Sequence, residues 1–250
     1  MSFPNDLQLF FGDDYSINQF ISVRHPKLDD IIRLGENEYY SIVYAFTSIP
    51  SDLKPQLWDI GICWEEISDF ELFMMLTKNM PIESTRVFFG DNVDFTRFKV
   101  GQNQNGEPIM CQYDSNGNLI VIDESIYLRI ATFLRKIHGI TPKIEKAGSK
   151  IVRQLLIEDD RRKLEKQKKE NKGSNLVPIV SALINSPEFK YGLDEIRKMP
   201  MYAFMDAVAR VQIIRSTTAL LHGSYSGMID ASKISKKEFN WMREIESDKK

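Results

Sequence analysis

At 250 residues, with 42% apolar and 27% charged side chains, the chain has the composition of a globular protein that buries a core, which excludes wholesale disorder. A formal net charge of -2 excludes a general polyanion binder, so any basic surface has to be local. Two cysteines without a pairing motif, Cys63 and Cys111, fit a reducing compartment, and no apolar run approaches the ~20 residues that span a bilayer.

The chain opens Met1-Ser2-Phe3-Pro4-Asn5-Asp6, with an acid and no basic stretch, so a secretory leader is not expected and the cytoplasm is the expected compartment. Residues 7–11 are an apolar run stopped by Gly12-Asp13-Asp14, and residues 19–23 are a second extended run closed by Pro26; together they predict a hairpin. Helical spacing follows, with Leu28, Ile31, Ile32, Gly35, Tyr39, Ile42, Val43 and Phe46 on one face of a helix that Pro50 ends. A shorter helix over 53–60 stops at Gly61. Ser68-Asp69-Phe70-Glu71 is a capping box, in which serine and glutamate satisfy first-turn amides, and its helix runs through Phe73, Met74 and Leu76.

From Val87 the pattern turns extended. Asn105-Gly106 and Asn116-Gly117 separate runs at 98–100, 109–113 and 119–122, and Asn-Gly favours the positive φ of tight turns, so these runs predict a three-stranded meander. A helix over 125–138 presents Ile126, Ile130, Phe133, Leu134 and Ile137. Phe10-Phe11-Gly12-Asp13 recurs as Phe88-Phe89-Gly90-Asp91, which reads as two similar strand-turn units in one sheet.

Composition shifts near Ala147-Gly148-Ser149. The next helix begins apolar (Ile151, Val152, Leu155, Leu156), becomes almost wholly charged through Lys172, and breaks at Gly173-Ser174. Helices then follow over 176–185 and 193–198, from Pro200, and near 235–246, where Ser235 and Glu238 repeat the capping box. The expectation is an α+β fold: an N-terminal domain over 1–146 with a small antiparallel sheet (hairpin plus meander) and helices, a charged connecting helix over 147–174, and a helical region over 175–250.

No catalytic or metal-binding pattern emerges, and no cofactor is expected. His138 and His222 each precede a glycine at an expected helix end, where a cation suits the carbonyl end of the dipole, and His25 precedes a proline. No His-Glu-x-x-His or Cys-x-x-Cys spacing occurs. Gly223-Ser224-Tyr225-Ser226-Gly227 has a nucleophile elbow's glycines with tyrosine where serine belongs, and it reads as a loop after a helix. Asp114-Ser115-Asn116-Gly117-Asn118 lacks a calcium loop's glycine position and its closing glutamate. Paired acids such as Asp29/Asp30 and Asp159/Asp160 sit in turns or first helical turns, where they stabilise helix starts.

One basic patch stands out: Arg161, Arg162, Lys163, Lys166, Lys168 and Lys169. Interleaved acids, Glu158 to Arg162 and Glu165 to Lys169, make it a solvated helix, and no aromatic residue is present there for base stacking. Ten methionines include a group at Met74, Met75 and Met80 and another at Met199, Met201 and Met205; thioethers suit apolar contacts with varied helices.

Two stretches carry a family resemblance. One is Ile31-Ile32-Arg33-Leu34-Gly35-Glu36-Asn37-Glu38-Tyr39-Tyr40, with Pro50-Ser51-Asp52-Leu53, Asp59-Ile60-Gly61 and Ile67-Ser68-Asp69-Phe70-Glu71-Leu72-Phe73. The other is Tyr202-Ala203-Phe204-Met205-Asp206-Ala207-Val208-Ala209-Arg210 with the later Gly223-to-Gly227 stretch. Together they resemble tail assembly chaperones from phages and prophages of Gram-positive bacteria. The resemblance implies a non-enzymatic protein of the host cytoplasm that binds the long helical tape measure protein and assists assembly of tail-tube subunits around it. Met201, Phe204, Met205 and Val208 are the expected contact. A structural tail or baseplate component is the alternative, and a nucleic-acid binder acting through the basic helix is the second.

Overall fold

Asn5 opens α1 (Asp6–Phe11): its side chain accepts the Gln8 amide, and the Gln8 side chain accepts the Asn5 amide, both at 3.0 Å. In the computed structural model, which describes residues 2–170 and 173–245, this helix replaces the strand expected at 7–11. Reciprocal capping at one end and Gly12 at φ 83° at the other make a helix of an apolar run that has no period of its own. The hairpin forms just beyond, from β1 (Tyr15–Ser16) and β2 (Ser22–Val23), with Tyr15 opposite Val23.

The single helix expected over 28–46 is two, α2 (Leu28–Leu34) and α3 (Glu36–Thr47), because Gly35 at φ 92° breaks the ladder. A 3-10 turn (Pro50–Leu53) leads into α4 (Lys54–Asp59), and the Ser68–Glu71 capping box starts α5 (Asp69–Thr77) as its residues predict. Next comes α6 (Ile82–Phe89), where an extended segment was expected from Val87. Gly90 ends it at φ 64°, so the repeated Phe-Phe-Gly-Asp marks two helix endings and not two strand-turn units. The hairpin and the meander are also separate sheets.

The meander forms as expected from β3 (Lys99–Gln102), β4 (Pro108–Tyr113) and β5 (Leu119–Ile122) in antiparallel order, with Gly106 and Gly117 at φ 79° and 82°. Met110 lies opposite Ile122, and both are buried. From there the chain enters α7 (Glu124–His138), whose Tyr127, Ile130, Phe133, Leu134 and Ile137 are all buried. The remainder is helical: α8 (Lys150–Glu170), α9 (Leu176–Ile184), α10 (Leu193–Arg197) and α11 (Met201–Tyr225), then 3-10 turns at Ala231–Lys233 and Lys236–Phe239. The fold is α+β. No long helix stands near 235–245: Ser235 accepts the Lys237 amide, and Glu238 pairs with Arg243 at 3.0 Å instead of closing a box. Lys172 and Glu246, the expected ends of the charged helix and of the last helix, lie outside the described residues. Gly223 and Tyr225 belong to α11, so the stretch expected as a loop is helical in its first half.

Phe46, Phe73, Phe89, Phe95 and Tyr127 stack through ring contacts of 4.8–6.2 Å and fill the N-terminal core. The same core includes Leu183, Ile196, Met201 and Phe204 from α9, α10 and α11. A backbone seam joins the two ends of the chain. Met201 N–H donates to Pro26 O at 2.9 Å, Leu28 N–H to Met199 O at 3.2 Å, and Tyr202 N–H to His25 Nε2 at 3.2 Å. Gly12 rests on Pro200 so closely that a Cβ there would stand 2.6 Å from the proline ring.

A smaller cluster, Leu53, Leu57, Trp64, Leu72 and Ile157, seats α8 on α4. Beside it Lys54, 3% exposed, pairs with Glu145 at 2.7 Å and Asp160 at 2.8 Å. Burial opposes the lysine charge, but hydrogen bonds to Asp160 and Glu145 outweigh it and hold the pKa above the ordinary value.

His138 is buried. Its Nδ1–H donates to Leu134 O at 2.7 Å, and Nε2 accepts the Tyr39 hydroxyl at 2.7 Å. Burial lowers the pKa of His138, and likewise of His25, from 6.5 to about 4, so His138 is neutral and adds no cation to the end of α7.

Two outcomes follow from this packing. Unfolded, the two imidazoles bind protons from pH 6.5 downward, whereas the folded chain resists until about pH 4. Stability therefore declines as pH falls through that window and stays level above it, by about 3 kcal/mol for a shift of His138's size. Urea midpoints measured from pH 7.5 to 4.5 check this, and His138→Gln flattens the slope. Separately, Gly12→Ala combines a left-handed backbone with contact against Pro200 and destabilises by about 2 kcal/mol or more. An unchanged urea midpoint for that variant contradicts the seam's tightness.

Candidate partner-binding groove

The residues expected to form a contact surface divide sharply. Met201 and Phe204 are core residues and not a contact surface, because the backbone seam draws the first turn of α11 inward. Met205 is partly exposed at the edge, and Val208 is half-buried against the core. The basic patch is laced with acids: Arg161 pairs with Asp59, Arg162 approaches Asp159 at 3.9 Å, and Lys163 reaches Asp159 at 2.6 Å and Asp160 at 3.2 Å. Lys166, Lys168 and Lys169 are exposed along the distal part of α8. These two sets of residues do not come together.

An apolar groove lies instead between α2, α9 and α10. Its volume is about 720 Å³, and Ile32, Val177, Val180, Ile184 and Leu193 line it over a floor of Leu28, Ile31 and Ile196. The helix α9 reads Leu-Val-Pro-Ile-Val-Ser-Ala-Leu-Ile, yet only Leu183 is fully buried. Val177 is 65% exposed, Ile32 55% and Leu193 67%, so a contiguous apolar strip faces solvent. Pro178 is tolerated because it sits in the first turn, where the missing amide has no helical acceptor.

Polar contacts anchor both walls to the body of the protein. Glu36, in the first turn of α3, accepts the Asn175 amide at 2.8 Å, the Leu176 amide at 3.3 Å and the Ser174 hydroxyl, placing a carboxylate at the start of α9. At the other wall Arg197 donates to Asp29 at 2.9 Å through Nε and at 2.5 Å through a terminal nitrogen, and Arg33 joins the same carboxylate at 2.6 Å. Arg197's hydrogen bond is the main reason the Asp29 pKa lies below the ordinary value. These pairs fix α10 against α2.

A charged cleft of about 1110 Å³ adjoins the groove and shares Asp194 and Arg197 with it. Its lining is balanced: Asp13, Asp14, Asp29, Asp30 and Asp194 against Arg24, Lys27, Arg33, Arg197 and Lys198, with His25 behind them. Such a surface selects neither a simple anion nor a cation. Among the described residues no group of three or more His, Cys, Asp or Glu could hold a metal ion, and no helix is long and apolar enough to cross a membrane.

Sequence reasoning missed the groove, although one signal for it was present. The nine residues of α9 have almost no polar face, which is too apolar for a helix covering a surface by itself. Their pairing with Ile32 and Leu193 is tertiary and has no local trace.

The model of one protein family, the YomV second domain, matches residues 166–246. The match links this part of the chain to a phage-associated family and covers the end of α8, all of α9, α10 and α11, and the closing turns. No curated protein and no solved structure matches the chain.

Glu36→Ala removes the acceptor for the first amides of α9, a loss of about 1 kcal/mol for a capping carboxylate. Hydrogen exchange across α9 accelerates in this variant while the amides of α7 keep their protection. Unaltered exchange in α9 means that packing alone holds the helix.

Proposed function

We propose that the chain is a non-enzymatic phage protein that receives an apolar helical segment of another polypeptide in the α2–α9–α10 groove, acting as a tail assembly chaperone toward the tape measure protein. The observation that carries this reading is the uncovered apolar strip of Ile32, Val177 and Leu193, flanked by helices that Glu36 and the Asp29–Arg197 pair anchor in place. An amphipathic helix laid in such a groove exchanges exposed apolar area on both partners for contact, at roughly 25 cal/mol per Å² removed from water. A long, largely helical polypeptide awaiting assembly offers many segments of that kind. The resemblance of residues 31–40 and 202–210 to tail assembly chaperones supports the same role, in the cytoplasm of a bacterial host.

Phosphate contact through α8 has less support, since Arg161, Arg162 and Lys163 already face Asp59, Asp159 and Asp160.

Titration calorimetry with amphipathic peptides cut from the tape measure protein tests the proposal. Binding is expected to vary little with salt, and Val177→Asp is expected to weaken it about tenfold or more, because a carboxylate in an apolar contact loses its hydration. Lys169→Ala leaves it unchanged. No peptide binding at all, or loss in Lys169→Ala with a steep salt slope, overturns the groove as the site. Detection of the chain in purified particles assigns it to the particle's structure instead.

A further inference from the structure

The groove is one half of a complementary pair, and the other half is on the same chain. On α8, Ile151 is 71% exposed and Leu155 56%, one turn apart, with Val152 beside them. The stripe through 151 and 155 continues at helical spacing to Glu158, Arg162 and Lys169, all exposed. One face of α8 is therefore apolar for its first turns and mixed in charge further on. The receiving surface has the same order: an apolar groove of about 720 Å³ opening into a cleft whose five acids and five cations balance. An anion or a lone cation matches half of that cleft. A helix bearing both signs matches all of it.

Within one chain the two surfaces do not meet. The inner face of α8 is fixed by Ile157 and by Asp160 on Lys54, both against α4, and by Arg153 on Glu65 beyond α4 at 2.7 Å, which turns Ile151 and Leu155 outward. The geometry points to a second copy of this chain as the groove's occupant: the Ile151–Leu155 face of one molecule enters the α2–α9–α10 groove of the next, with Arg162 and Lys169 directed toward Asp13, Asp30 and Asp194 of the charged cleft. The contact is head-to-tail, since the two surfaces differ, so it builds rings or open chains and not an isologous dimer. The inference rests on the groove accepting a helix, as proposed above, and adds that the protein's own α8 competes for it.

Sedimentation velocity of the full chain across the micromolar range is the test. Wild type is expected to form species larger than a dimer with rising concentration. Leu155→Asp and Val177→Asp, both at exposed positions and both checked for unchanged circular dichroism, are each expected to be monomeric. Mixing these two variants restores one intact groove and one intact α8 face, so a 1:1 dimer that grows no further is expected. A wild type that stays monomeric, variants that still assemble, or a mixture that remains monomeric each overturn the proposal. Peptide binding separates it from the chaperone reading: Leu155→Asp keeps its groove and still binds a tape measure peptide, whereas Val177→Asp does not. Assembly without peptide binding upholds the self-contact alone, and peptide binding by a strictly monomeric wild type upholds the chaperone reading alone.

Discussion

Two backbone hydrogen bonds, Met201 N–H to Pro26 O and Leu28 N–H to Met199 O, join positions some 170 residues apart, and the arrangement of the C-terminal helices depends on them. They align Pro200 antiparallel to Lys27 as an isolated bridge, with Pro200 lying on the bare face of Gly12. A side chain at Gly12 would push the proline away and open the seam. With the seam closed, Met201 and Phe204 drop into the core formed by α1, α3 and α7, and α10 is set down beside α2. The groove exists because α10 is held there while α9, tethered by Glu36, meets the body through one buried residue and a few half-buried ones. A core contact thus defines a surface.

The placement of α8 follows a different rule. Its apolar first half could have packed fully against the body, yet only Ile157 is buried among the described residues of the helix. Beside the small apolar cluster around Ile157, the contacts that hold the helix are ionic: Asp160 reaches Lys54, which is withdrawn from water, and Arg153 reaches Glu65. A buried lysine is tolerated where carboxylates pair with it, and loss of either Glu145 or Asp160 removes one of the two ionic partners that offset its desolvation. Ile157, Asp160 and Arg153 fall on one side of α8 and together set its rotation about the helix axis. The consequence is that Ile151 and Leu155 face outward by construction.

Local chemistry made part of this legible. Asn-Gly pairs define the meander, the Ser68–Glu71 box starts α5, and the spacing of Ile126, Ile130, Phe133 and Ile137 gives α7, because each signal acts within a few residues of itself. The Phe-Phe-Gly-Asp repeat was recognisable as a repeat but not as a helix stop, since a terminal glycine looks the same after a strand or a helix until the partner of its amide is known. Gly35 sat on the apolar face in register, which hid its positive φ. Met201 and Phe204 were visible as apolar residues of α11, but burial and exposure of such residues differ only through the distant Pro26. The groove escaped for the same reason: Ile32, Val177 and Leu193 are well over a hundred residues apart at their extremes, and nothing local couples them.

An apolar strip left open to water raises the free energy of the isolated molecule, and single exposed apolar side chains need no explanation whereas a walled, contiguous strip does. Here polar contacts anchor the elements on either side, α9 to α3 through Glu36 and α10 to α2 through Asp29 and Arg197, and Ile32, Val177 and Leu193 between them stay exposed. Arg197 lies at the border of the groove and the adjoining cleft, so one ion pair both seats α10 and brings charge to the end of the apolar strip. The occupant proposed above is a helix that is apolar at one end and charged further on, and the groove and the cleft present the same order of character.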